Sequence, residues 1–135
     1  MKAQLLSTIE NSRGYMLAVA EAMPEGHYEF KPASAVWNFV ELMNHIVYGM
    51  KWYGENYIQK TKTEWQPPVP HTTKAETIKS LEKSFDALKK EVSSVVLDEE
   101  RIHGVYTTLD HITHHRGQAT TYLRCKSIQP AEYIY

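Results

Sequence analysis

Cysteine is nearly absent from this chain: Cys125 stands alone, so no internal disulfide can staple the fold, and a reducing compartment suits it. Its thiol falls near the end of an expected helix and reads as half-buried. Charge of one sign is equally scarce. With 15 Lys and Arg against 16 Asp and Glu, the formal net charge is −1, which lacks the field that nucleic acid or an anionic membrane surface would need. Long hydrophobic runs are missing too: Glu10, Asn11 and Arg13 interrupt the apolar residues between Met1 and Met23 before a membrane span or secretory leader develops. These absences point to a cytoplasmic protein whose partners are small molecules or other proteins. Neither nucleotide-binding glycine patterns, strand-period alternation, low complexity nor internal repeats occur.

What is present suits one domain spanning residues 1–135. The chain is 42% hydrophobic and 23% charged, ordinary for a globular fold, and long enough to bury a core without staples. Leu5, Leu6, Ile9, Met16, Leu17, Val19, Ala20 and Met23 recur mostly at steps of three and four, the period of one helix face, and Pro24 and Gly26 stop it. His27 to Trp37, with Pro32, has no helical period and reads as a connection. Asn38 and Glu41 have capping-box spacing at the start of a second helix, with Trp37 and Leu42 placed as a hydrophobic staple. This helix should reach Tyr57 or Lys60, with Gly49 and Gly54 each costing about 1 kcal/mol.

Lys60 to Thr72 contains Trp65, Pro67, Pro68 and Pro70, a stiff segment suited to a crossover at a bundle end. Thr73 and Glu76 repeat the capping signature before Ile78, Leu81, Phe85, Leu88, Val92 and Val95, the cleanest helical stripe. After Asp98, the residues through Tyr106 read as a loop. Thr107 and Asp110 then begin a last helix running to about Lys126, and Pro130 bars continuation. Four amphipathic helices around one core give an all-α four-helix bundle.

The chemical signal lies among seven histidines. His111 and His115 are four residues apart, so their Cβ atoms lie about 5–6 Å apart on one helix face and can grip one metal ion. Such spacing arises readily by chance, so context decides. Both share the side of helix four that carries Thr108, Gln118, Ala119 and Tyr122, beside the stripe of Leu109, Ile112 and Leu123. His45, on helix two with Glu41, Tyr48 and Trp52 along its face, also points inward. Three neutral imidazoles from two helices suit a zinc-like or nickel-like site with an open position. The competing reading is three core histidines, each satisfied by an ordinary hydrogen bond.

Two sharper metal chemistries fail on spacing. A metalloprotease helix needs Glu after its first His, where Ile112 stands. A di-iron bundle needs Glu three residues before each His, where Leu42, Thr108 and Ile112 stand.

Met23-Pro24, the run from Trp37 to His45, and His111-x-x-x-His115-Arg116-Gly117-Gln118 together resemble the DinB-like family of metal-binding bundles. The resemblance extends along most of the chain to Tyr122-Leu123-Arg124 and Pro130. It implies an up-down-down-up bundle, a divalent metal, often zinc or nickel, on His45, His111 and His115, and a homodimer. Apolar residues on more than one side of helix two, Phe39, Leu42, Met43, Ile46, Met50 and Tyr53, also suggest a second subunit. Gly117 inside a helix suggests close packing by a neighbour, and Arg116 and Gln118 would tie the helix to its surroundings or face a substrate. Where the family often has Gly after the last helix, this chain has Ser127. Antiparallel helices that carry their histidines near their N-terminal ends require a stagger.

Two classes of function follow. One is a metal-dependent thiol S-transferase, in which a small thiol is held as thiolate and meets an electrophile, or its hydrolytic counterpart that activates water. The other is a non-catalytic metal-binding or ligand-sensing module. A closed site would recruit Glu41, His103 or His114 as a fourth ligand, whereas an enzyme would keep an open position lined by Tyr48 and Trp52. His27 and His71, in connections, carry no assignment.

Overall fold

The computed structural model describes residues 1–133 as four helices: α1 (Lys2–Ala22), α2 (Phe39–Tyr53), α3 (Lys74–Ser94) and α4 (Glu99–Cys125). No strand occurs among the described residues. Leu5, Ile9, Ser12, Met16, Val19 and Ala20 form the buried stripe of α1. The helix stops at Met23, which is extended because the Pro24 ring disfavours a helical residue before it. Asn38 and Glu41 form the expected reciprocal box at the start of α2, each bond 2.8 Å. Trp37 does not staple there: its ring packs instead against His45 and His115. Thr73 makes half a box, accepting from the Glu76 backbone while its own hydroxyl donates to the Glu76 carboxylate.

Side-chain bridges fix the direction of each helix. Lys2 reaches the Ser93 and Val95 carbonyls, Arg13 reaches Asp86 and Lys74 reaches Glu21, so α1 and α3 are antiparallel. The Tyr122 hydroxyl donates to the Trp37 carbonyl, and Arg101 Nε donates to the Ile58 carbonyl, so α4 runs against α2. Asn44 bonds His71 just before α3, and Glu91, late in α3, lies against Gly54 beyond the end of α2, so those two are parallel. The bundle is up-down-down-up, with α2 packed between α3 and α4. That position explains its two apolar sides. Phe39, Leu42, Met43, Ile46 and Met50 are all buried within this one chain, while Tyr53 is half-buried.

Parallel α2 and α3 require the crossover to return along the whole of α2. It does so on a stripe of residues spaced by four: Trp52 and Asn56 bond Thr63, the Tyr48 hydroxyl accepts from Gln66 N, and Asn44 exchanges two bonds with His71. The segment therefore lies along the side of the bundle, not across its end. At the far end of α2, a π turn (Gly54–Ile58) brings Tyr57 against α4 at Gly104. A Cβ on Gly104 would lie 2.6 Å from Tyr57 Cβ, so only glycine permits that approach.

The expected loop before helix four is helical. Asp98 caps α4 by accepting from Arg101 N, Glu99 and Glu100 place negative charge at its positive end, and Ile102, Val105, Leu109 and Ile112 continue the inward stripe. Helix four is thus 27 residues long and begins at Glu99, not Thr107. Its far end is a Schellman motif: Ile128 N bonds the Leu123 carbonyl and Ser127 N the Arg124 carbonyl, with Ser127 in the left-handed conformation at φ 59°. Cys125, the last residue of α4, is exposed rather than half-buried. Among the described residues no helix is long and apolar enough to cross a membrane.

Candidate metal centre

The early start of α4 removes any need for a stagger. His111 and His115 lie near the middle of a long helix, opposite the middle of α2, where His45 points across. One ring nitrogen from each of the three lies within 4.8 Å of the others. The ring centroids of His45 and His111 are 4.9 Å apart, and those of His45–His115 and His111–His115 are each 4.5 Å apart. Sequence spacing gave the pair on α4. Antiparallel packing of α2 supplies the third ring.

Gly49 makes this convergence feasible. A Cβ there would lie 2.3 Å from His111 Cε1 and 2.7 Å from Nδ1, so the imidazole occupies space that any other residue would fill. The sequence showed Gly49 only as a cost to helix two.

His45 Nε2 and His111 Nε2 are 3.0 Å apart. Two nitrogens each about 2.0–2.1 Å from one tetrahedral ion would be roughly 3.3 Å apart, so the spacing suits a shared cation. It also suits one N–H···N hydrogen bond, in which one imidazole donates. With Nε2 facing His45, the other ring nitrogen of His111, Nδ1, is buried without a hydrogen-bond partner. His115 is oriented by Gln118: Nδ1 lies 2.9 Å from Gln118 Oε1, an atom that only accepts, so Nδ1 carries the proton and Nε2 keeps its lone pair.

The charge state fits as well. Burial, reinforced by the neighbouring His115, pushes His45 down to about 4. Burial and then the three nearby histidines push His111 to about 4. Burial also lowers His115, against the opposing pull of Gln118. All three are neutral near pH 7, as metal ligation demands. An all-nitrogen donor set of this size fits zinc or nickel.

Among the described residues no fourth His, Cys, Asp or Glu joins the cluster. Glu41 caps α2, and His103 and His114 are exposed on α4. Aromatic rings gather around the cluster instead: Trp37 lies 4.5 Å from His45 and 5.9 Å from His115, and Trp65 lies 5.6 Å from His45. His45, Trp37, Tyr48 and Trp65 also line a cavity of about 500 Å³ between α2, the crossover and α3. Tyr48 thus stands where an open site would use it, but Trp52 is turned to the crossover, bonding Thr63. Trp37 and Trp65 were not foreseen as part of the site, because both sit in irregular segments where no periodicity aims a side chain.

The rest of the helix-four motif divides by role. Arg116 is buried and donates to Ser12 Oγ, tying α4 to α1, while Gln118 holds His115. Gly117 is exposed and a Cβ there would meet nothing within 4 Å, so the expected close packing is absent.

Comparison with known proteins bears on the family and the fold. The sequence pattern of the DinB superfamily matches residues 8–119. The crystal structure of a DinB-like protein from Bacillus subtilis is similar in fold, with a TM-score of 0.72 over 98% of this chain and 96% of that one, at 17% identity. No curated protein matches the chain.

Proposed function

The chain belongs to the DinB superfamily, and from that footing we propose that it holds one divalent cation, zinc or nickel, on His45, His111 and His115 and serves as a thiol S-transferase for a small electrophile. The observation that carries this reading is the convergence of three neutral imidazoles with no fourth His, Cys, Asp or Glu beside them among the described residues. A purely structural site would be closed by a fourth side chain. When bound, the cation would supply a positive charge that holds a thiol as its thiolate at neutral pH.

The chain's own residues provide the remainder. Gln118 fixes the tautomer of His115, and Gly49 gives His111 room to turn toward α2. Trp37 and Trp65 screen His45 from water, and the adjoining cavity, walled by Tyr48 and the prolines of the crossover, has the size of an ordinary small-ligand pocket. Transfer forms a sulfur–carbon bond as the electrophile's leaving group departs with its electron pair, and the thiol proton passes to solvent. Hydrolysis would need only water in place of the thiol.

The alternative is a metal-binding or sensing module. Elemental analysis of tag-free protein and of His111→Ala tests the shared premise, and equal metal content in both would reject the site. Given metal, a panel of low-molecular-weight thiols with a generic electrophile separates the two: metal-dependent turnover supports the transferase, and none with any thiol favours the module. A homodimer is part of the same proposal; a monomer in light scattering at micromolar concentration would refute it.

A further inference from the structure

Arg116 is the most deeply buried cation for which no acid is at hand. It is 4% exposed, yet its guanidinium has no carboxylate partner among the described residues; it donates to Ser12 Oγ at 3.2 Å and lies over the rings of Tyr15 and Tyr133 at 4.7 and 5.2 Å. Two more exposed arginines of the bundle are better matched: Arg13 pairs with Glu10 and Asp86, and Arg101 with Asp98. Aromatic faces stabilise a cation but do not neutralise it, and a buried charge normally finds a counter-charge.

The space beside the guanidinium offers a place for one. Arg116 lines a cavity of about 150 Å³ between α1 and α4, whose other walls include Thr8, Asn11, Ser12 and Thr113. Hydroxyls and an amide there add hydrogen-bond donors around Arg116, the one charged residue among the described walls. The volume is well below the roughly 300–1,000 Å³ of small-molecule pockets, but equals several waters at about 30 Å³ each. That is room for a single tetrahedral or planar oxyanion. A guanidinium is also the donor best shaped for such a group, with paired N–H bonds matching two oxygens.

We propose that this cavity is an anion site, separate from the histidine cluster, that takes a small oxyanion such as phosphate, sulfate or the carboxylate of a small acid on Arg116. The oxyanion joins α1 to α4 and completes the pairing that the described residues leave open.

Thermal unfolding of chelator-treated protein in inorganic phosphate, sulfate or acetate, against chloride at equal ionic strength, tests it. The site predicts a saturable rise in Tm with at least one oxyanion, and the order among the three separates a tetrahedral from a carboxylate preference. Arg116→Gln should weaken binding by about tenfold or more. Should that variant fail to fold, Asn11→Asp, which sets a carboxylate at the cavity rim, should abolish the response while folding normally. His111→Ala should keep it, since the cluster is not involved. Equal melting in all four salts, or a response that survives Asn11→Asp and is lost in His111→Ala, would overturn the proposal.

Discussion

A methyl group at residue 49 would probe the proposed metal centre without replacing any of its three histidines. In Gly49→Ala the new Cβ would start 2.3 Å from His111 Cε1, whereas ordinary contact begins near 3.4 Å, so the ring must retreat by about 1 Å. Metal–ligand distances tolerate only about 0.2 Å. Behind the ring stands Tyr53, its centroid 5.2 Å away, which limits a harmless rotation. The His45–His111 spacing of 3.0 Å would open, and affinity for zinc or nickel should fall by about 10- to 100-fold or more, the range seen when a support of a ligating histidine is lost.

Helix propensity pushes the other way. Alanine gains about 1 kcal/mol over glycine inside a helix, while overpacking costs roughly 1–3 kcal/mol, so the metal-free protein should change little or lose modest stability. Competition titration with a chromophoric chelator reads the affinity, and thermal melts of the metal-free protein read the fold. A Gly49→Ala protein that binds metal as tightly as the parent would refute the argument that His111 needs that space to serve as a ligand.

Gly14→Ala and Gly117→Ala supply the contrast, because a Cβ at either meets nothing within 4 Å; each should raise stability by up to about 1 kcal/mol in denaturant titration. Ser127→Gly should stabilise by about 1 kcal/mol, since Ser127 holds φ 59° at the close of α4, and an unchanged midpoint would count against strain there. Glu91 is half-buried and burial raises its carboxyl, helped by Glu55 and opposed by Gln59. Its folded value therefore lies above its unfolded one, so the benefit present at acidic pH is lost as pH rises through the folded value; Glu91→Gln should be more stable than the parent at pH 7, with the gap narrowing below pH 5. In metal-free protein His45 and His111 shift the opposite way, to about 4, so the unfolded chain binds more protons between about 6.5 and 4 and stability should decline as pH falls through that window while staying flat above it.

Much of the bundle could be read from local pattern because its helices announce themselves. The Asn38–Glu41 box, the Thr73 cap and the stop at Pro24 all involve residues within a few positions of one another, and each formed where spacing put it. The start of α4 was misjudged for a related reason. Thr107 and Asp110 look like a cap, but Thr107 bonds back to the His103 carbonyl inside the helix, and the operative cap is Asp98, whose acidic first turn signalled it nine residues earlier. The route of the crossover depended on a polar stripe, Asn44, Tyr48, Trp52 and Asn56, that only makes sense once α3 is known to run parallel to α2. No periodicity within residues 60–72 encodes that path.

The histidine cluster divides along the same line between local and non-local information. His111 and His115 are joined by helix geometry, and Gln118 lies close enough on the same helix to fix His115; all of that is present in eight consecutive residues. His45 is 66 positions from His111, and its arrival depends on α2 and α4 being antiparallel and in register. That register is set by Tyr122 against the Trp37 carbonyl on one side of the histidines and by the glycine-permitted contact of Gly104 with Tyr57 on the other. Glycine therefore does the positioning twice on this interface: Gly104 lets the helices close at the end, and Gly49 lets an imidazole stand between them at the centre. A sequence reading that scores each helical glycine only as lost stability assigns both the wrong sign, because their value lies in the atoms of the opposite helix that occupy the space they leave.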